Sequence, residues 1–323
     1  MKTIYLSEQH HSIRDVFAQY PIDRVYSKAD LLDNPEQFLD TEYIFSTWGM
    51  TKLTEEEIRT YLPNLKAIFY GAGSVQAFAR PYLACGVRIF SAWMANAVPV
   101  AEYTASQILL ASKGYFHTCR ITSAEDHAAM RKLSNEFPGN YDTTVGIIGA
   151  GTIGKLVIHR LKESKLHILV FDPFLPDQAA EEMGVQKVSL DELFRRCQVV
   201  SNHLANNAET KGMLTGAHFA QMRPYATFLN TGRGAQVVEP ELIEVLKARP
   251  DLMAILDVTD PEPPAEGSEF YSLPNCVLTP HIAGSKGNEF YRMADYMHQT
   301  YKDFLAGKPC PYEVTADMLQ TMA

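Results

Sequence analysis

Three observations predict a two-domain α/β protein built on largely parallel sheets. Short β-rich runs alternate with helix-period segments along the chain, the pattern left by parallel strands joined through helical crossovers. The 323 residues suffice for about two domains at the usual 100–200 residues each. A glycine-rich turn between a hydrophobic run and an amphipathic segment, within residues 144–161, lies in mid-chain and marks a doubly wound sheet in the second domain.

The elements follow in order. In the first hundred residues, strands are expected at 3–6, 25–26, 43–47, 66–70 and 87–90. Thr54 with Glu57 forms a capping-box pattern that opens a helix carrying Ile58 and Leu62, and a second helix is expected over 75–84 with Gly86 as its stop. An Ala-rich helix over 100–113 leads into the second domain, and the polar segment 118–142 has no clear period. Strands are then expected at 144–148, 167–171, 199–204, 226–230, 253–257 and 277–279. Ser189 with Glu192, and Pro240 at a first turn, signal helices between them. Phe290, Met293, Ala294, Met297, Tyr301, Phe304 and Leu305 recur at helical spacing before Gly307, a core stripe that carries the chain back to the first domain. The expected domains are therefore 1–100 with 286–323, and 101–285.

Composition narrows the function. Hydrophobic residues are 46% and charged residues 21% of the chain, which fits folded globular protein able to build cores without metal or disulfide staples. Lys and Arg total 29 against 38 Asp and Glu, for a net charge of -9. With no basic stripe, that balance argues against nucleic-acid and anionic-membrane partners. No run approaches the roughly 18 apolar residues of a membrane span, and the polar opening from Met1 to Glu8 is unlike a secretory leader. The five cysteines are scattered with no CxxC pair, which points to free thiols in a reducing cytoplasm. His10-His11 reads as a solvated pair, and no metal site is expected.

The segment Gly149-Ala150-Gly151-Thr152-Ile153-Gly154 is a G-x-G-x-x-G turn following a strand run and opening a helix. Gly149 permits the tight turn, Gly151 lets backbone approach a pyrophosphate, and Gly154 allows close helix–strand packing. The free N–H groups and the helix dipole make an anion site. The next strand ends at Asp172, where a carboxylate holds adenosine ribose hydroxyls and repels a 2′-phosphate. No Arg or Lys lies between Pro173 and Glu182, so NAD is favoured over NADP.

Ligands of a doubly wound sheet bind beyond the carboxyl ends of its strands. Three polar sequences fall there: Asn230-Thr231-Gly232-Arg233-Gly234, Asp257-Val258-Thr259-Asp260-Pro261-Glu262-Pro263, and Thr279-Pro280-His281-Ile282-Ala283-Gly284. Singly, Arg233 reads as a surface cation, Glu262 as a loop acid and His281 as a satisfied ring. Together at one ligand edge, they point to chemistry.

These motifs, in this order and spacing, resemble the D-2-hydroxyacid dehydrogenase family, which includes D-lactate, glycerate and D-3-phosphoglycerate dehydrogenases. The resemblance extends over nearly the whole chain and includes Gly71-Ala72-Gly73 and Asn96 through Val100-Ala101-Glu102. It implies a Rossmann NAD domain, a smaller flavodoxin-like substrate domain, and hydride transfer between NAD(H) and a 2-hydroxy/2-oxo acid pair. By the same resemblance Arg233, Glu262 and His281 are catalytic. Arg233 grips the substrate carboxylate with a fork that lysine cannot copy. His281 exchanges a proton with the substrate oxygen, a task suited to a residue type with an ordinary pKa of about 6.5, and Glu262 orients the ring. Thr152 and Ile153 would line the pyrophosphate, Thr231 and Gly232 the cofactor, and Asp257 would accept from the nicotinamide carboxamide. Ala72, Gly73 and Ser74 would offer N–H groups to the carboxylate, with domain closure excluding water.

The resemblance further implies a homodimer whose arm is the segment 101–142, oddly long for a connector. The chain departs from the family's usual pattern at residues 74–78 and 205–208. Two other readings stay open on this fold: a nicotinamide-sensing, corepressor-like binding protein, and a formate dehydrogenase-like enzyme. The latter pairs its histidine with glutamine, which Glu262 disfavours.

Overall fold

The computed structural model describes residues 2–320; residue 1 and residues 321–323, which the expected first domain includes, lie outside the described residues. The chain divides into two compact units, Met1–Ala97 with Ser285–Ala323, and Val98–Gly284. The first crossing falls inside the helix Trp93–Ser112, which runs through Pro99. Proline lacks the helical donor and its ring clashes with the preceding turn, so the sequence signal for this helix begins only beyond it.

In the first unit, β1 (Lys2–Leu6), β2 (Val25–Tyr26), β3 (Thr41–Ser46), β4 (Ala67–Tyr70) and β5 (Arg88–Ser91) are parallel and lie in the order 2-1-3-4-5. That is the flavodoxin-like order. Alternate side chains go to opposite faces. Ile4, Ile44, Ile68 and Ile89 pack with Leu53, Ile58 and Tyr82 on one side, while Tyr43, Phe45, Phe69 and Phe90 pack with Phe17, Met293 and Met297 on the other. Both faces are thus covered, as a parallel sheet requires. The Thr54–Glu57 capping box forms with both reciprocal bonds, at 2.8 and 3.2 Å. The helix expected over 75–84 is shorter, Ala79–Ala84, because residues 75–78 turn first. A strand without a clear sequence signal, Glu313–Val314, pairs antiparallel with β5, where Arg88 forks onto Glu313 with two 2.6 Å bonds.

The closing helix Glu289–Leu305 buries Met293, Ala294, Met297 and Thr300 on this sheet. Its His298 is stacked between Tyr20 at 3.5 Å and Phe45 at 4.4 Å between ring centroids. Burial first, and the nearby Lys302 charge second, push its pKa from 6.5 down to about 4. Its Nε2 is buried with no hydrogen-bond partner. An unfolded histidine takes up its proton near pH 6.5, before the folded ring does. This contribution to stability is therefore full above about pH 6.5 and is lost as pH falls toward 4. His298→Phe keeps the stack and removes the titration, so it should recover on the order of 2 kcal/mol of stability near pH 4 and little at pH 7.5. Urea unfolding at both pH values checks this; equal acid losses in variant and wild type would refute it.

In the second unit, β6 (Thr144–Ile148), β7 (His167–Phe171), β8 (Gln186–Lys187), β9 (Val199–Asn202), β10 (Thr227–Asn230), β11 (Met253–Leu256) and β12 (Cys276–Leu278) form one parallel sheet. Their order is 8-7-6-9-10-11-12. The order reverses between β6 and β9, the switch point beside which such sheets bind ligands. Val145, Ile147, Val170 and Val199 join Ala101, Val157 and Ile158 on one face. Ile148, Leu169, Val200 and Phe228 join Phe194, Phe219 and Leu242 on the other. The expected run 199–204 ends as a strand at Asn202, and 253–257 ends at Leu256, so His203 and Asp257 begin loops rather than finish strands. Within 118–142 lies the helix Ala124–Leu133, capped by Ser123 and burying no residue. A helix without a buried face has no apolar stripe to read.

Candidate active site

The glycine turn follows β6 directly. Gly149 has φ +88°, and a Cβ there would meet the His203 carbonyl oxygen at 2.8 Å. A Cβ on Gly154 would meet the Gly149 oxygen at 2.0 Å, whereas one on Gly151 would meet nothing within 4 Å. Two of the glycines therefore serve the fold, and the third leaves open space at the N-cap of the helix Thr152–Leu161. Lys155 N donates to Gly151 O at 3.0 Å, so the amides of Thr152, Ile153 and Gly154 precede the helical ladder. Open space beside free donors at a positive helix end fits a pyrophosphate. At the end of β7, Asp172 accepts from Ala150 N at 2.7 Å and from Phe174 N at 2.8 Å. These bonds tie its carboxylate to the glycine turn, where a ribose would be held. The residues present fit a dinucleotide.

Arg233, Glu262 and His281 lie in the loops after β10, β11 and β12, three adjacent strands. His281 Nδ1 donates to Glu262 Oε1 at 2.7 Å. The ring's neutral form then has Nε2 as its acceptor, and its charged form has Nε2–H as a donor. His281 has φ +53°, a left-handed conformation uncommon for residues other than glycine. Asp257 holds this turn. Its Oδ1 accepts from Thr279 Oγ1 at 2.6 Å and Ile282 N at 2.8 Å, and its Oδ2 accepts from Ala283 N at 2.9 Å. Of the roughly four lone-pair sites on a carboxylate, three thus serve the histidine turn, a duty of Asp257 that the sequence does not signal.

Arg233 donates through Nη1 to Gly232 O at 2.7 Å. Burial draws its guanidinium below the usual arginine range, and the Glu262 charge opposes this. Gly234 explains the glycine after the arginine: a Cβ there would lie 1.9 Å from the Thr259 carbonyl carbon. The arginine turn is therefore seated against the loop that carries Glu262. Thr231 is buried, with its hydroxyl 3.3 Å from Thr104 Oγ1 and 3.4 Å from His203 Nδ1. Burial drives His203 down to about 3, so this ring stays neutral.

The second unit thus brings together Arg233, Glu262, His281, Thr231, Gly232 and Asp257 along the carboxyl edge of one sheet. Ala72, Gly73 and Ser74 belong to the first unit, directly beyond β4, where Ser91 Oγ donates to Ala72 O at 2.8 Å and Gly73 O at 2.5 Å. Sequence reading overlooks Ser91, Asn202 and Gln236. Asn202 closes the strand Val199–Asn202 and Gln236 follows Gly234-Ala235, so neither stands in a local motif that marks it.

The sequence model described as the D-isomer specific 2-hydroxyacid dehydrogenase NAD binding domain matches residues 108–283, more than half of the chain. The chain is 31% identical over 200 residues to D-3-phosphoglycerate dehydrogenase of Archaeoglobus fulgidus, covering 62% of this chain and 37% of that protein. It is 28% identical over 269 residues to D-3-phosphoglycerate dehydrogenase of Mycobacterium leprae, covering 81% and 49%. The chain thus spans less than half the length of these two curated relatives. Among solved structures it is similar to apo Rhodotorula graminis D-mandelate dehydrogenase, with TM-score 0.78, 21% identity and 97% of each chain covered. It is also similar to apo Escherichia coli D-lactate dehydrogenase, with TM-score 0.68, 22% identity and 98% and 100% covered. At these identities the structures speak to the fold.

Proposed function

Since the chain belongs to the D-isomer specific 2-hydroxyacid dehydrogenase family, we propose that it interconverts a small 2-oxo acid and the matching D-2-hydroxy acid using NAD(H). The observation that carries this reading is the His281–Glu262 pair at 2.7 Å, on the ligand edge of a sheet whose switch point bears the dinucleotide turn. NADH, when bound, supplies the hydride that reaches the carbonyl carbon. Gly151, Thr152 and Ile153 hold its pyrophosphate and Asp172 its ribose, while Thr231, Gly232 and the remaining lone pair of Asp257 border the nicotinamide end.

Arg233 grips the substrate carboxylate and draws charge from the carbonyl oxygen. His281 Nε2–H gives a proton to that oxygen as negative charge develops, and neutral Nε2 takes it back from the hydroxyl in the reverse direction. Glu262 fixes which nitrogen faces the substrate. We take the assembly to be a homodimer with residues 101–142 as its arm. The fully surface-lying helix Ala124–Leu133 and the exposed Ile121 and Tyr141 support this. The compartment is taken as the cytoplasm, on the strength of five free thiols. No helix among the described residues is long and apolar enough to cross a membrane.

The test is purified protein with NADH and a panel of 2-oxo acids, followed at the nicotinamide absorbance band. Oxidation of NADH with at least one acid is the expected result. Tight NADH binding with no turnover across the panel would favour the nicotinamide-sensing alternative.

A further inference from the structure

We infer that Gln236 is a positioning residue for Arg233, the member of a buried amide clamp that ties the arginine turn to the segment beyond β9. Gln236 is 0% exposed and uses its whole primary amide. Its Oε1 accepts from Arg233 N at 3.1 Å and from Asn202 Nδ2 at 2.6 Å. Its Nε2 donates to Leu204 O at 2.8 Å and Ala205 O at 3.0 Å. The opposite amide orientation would set N–H groups against N–H groups and oxygen against two carbonyls, so the partners fix it.

Two asparagines complete the clamp. Asn202 and Asn230 are register partners at the ends of β9 and β10, and are 0% and 1% exposed. Asn202 Nδ2 donates to Asn230 Oδ1 at 3.0 Å, and its Oδ1 accepts from Leu204 N at 3.2 Å. Asn230 accepts from Gly232 N at 3.0 Å and donates to Arg233 O at 3.2 Å. The backbone of Arg233 is thus held at its N–H by Gln236 and at its C=O by Asn230. Gly232 is required alongside, because a Cβ there would lie 2.7 Å from Gln236 Oε1. All three clamping groups are neutral amides, so they fix the turn without offering the guanidinium a competing carboxylate. The clamp also reaches the carbonyls of Leu204 and Ala205, at the start of the stretch that departs from the family's usual sequence.

The inference rests on the proposed role of Arg233. Gln236→Leu removes all four bonds, and Gln236→Glu keeps the size and the acceptor oxygen while losing both donors. In each, the KM for the 2-oxo acid should rise about tenfold or more, with kcat changing less and NADH affinity held within about threefold. In an Arg233→Lys background the same changes should add less than about threefold, because they act through the arginine. A multiplicative loss in that background, or an unchanged KM with only a lower melting temperature, would overturn the inference. Hydrogen exchange of the 230–237 peptide gives a readout independent of turnover. It should speed up in both variants while β6 and β7 stay protected, and unchanged exchange would also overturn the clamp. Failure of the wild-type enzyme to reduce any acid would count instead against the proposed function.

Discussion

His281→Gln should lose about 10²–10⁴ in kcat, the usual span for removing a positioned proton donor, while NADH affinity should stay within about threefold. Glutamine approaches the size of the ring but does not exchange a proton near neutral pH, so the oxyanion that forms during reduction goes unquenched. The backbone should tolerate the change, because its left-handed conformation is held from outside the side chain, by the three bonds to Asp257. Fluorescence titration with NADH and steady-state turnover together separate the two effects. Undiminished turnover would remove His281 from the mechanism.

Arg233→Lys should lower kcat/KM by about 10²–10³, with most of the loss in KM for the acid. The ammonium of lysine is a point donor, and it cannot present two parallel N–H groups to a carboxylate. Its charge would be as withdrawn from water as that of Arg233, whose guanidinium burial already disfavours. Substrate saturation curves with the preferred acid check the prediction. A variant with wild-type KM would place the carboxylate grip elsewhere.

What the sequence revealed of this fold and site follows a physical line. Parallel strands buried on both faces leave hydrophobic runs, as at Val145–Ile148 and Phe228–Leu229, and Gly149 and Gly154 are forced by contacts of 2.8 and 2.0 Å that a Cβ would make. The residues proposed to do chemistry stand out because they interrupt such runs at strand ends: Arg233 between glycines, His281 after a proline. The clamp around Arg233 is hidden for the opposite reason. Gln236 and Asn202 meet across 34 positions, and nothing local tells a buried, fully bonded amide from a loop residue. The short first-unit helices His10–Val16 and Lys28–Asp33 span too few turns to show a period. Helix Ala124–Leu133 buries no side chain and so shows none either. Asp257 looks like a ligand residue from its place after β11, yet most of its carboxylate is spent on the turn beside it.

The destination of the hydride tests the proposed reaction most directly. NADH deuterated at the transferred position of the nicotinamide ring, incubated with the enzyme and its preferred 2-oxo acid, should yield a hydroxy acid with one deuterium at C2. Chiral separation should place all of it in the D isomer. An unlabelled product, an L product, or intact labelled NADH across the full panel of acids would contradict the assignment.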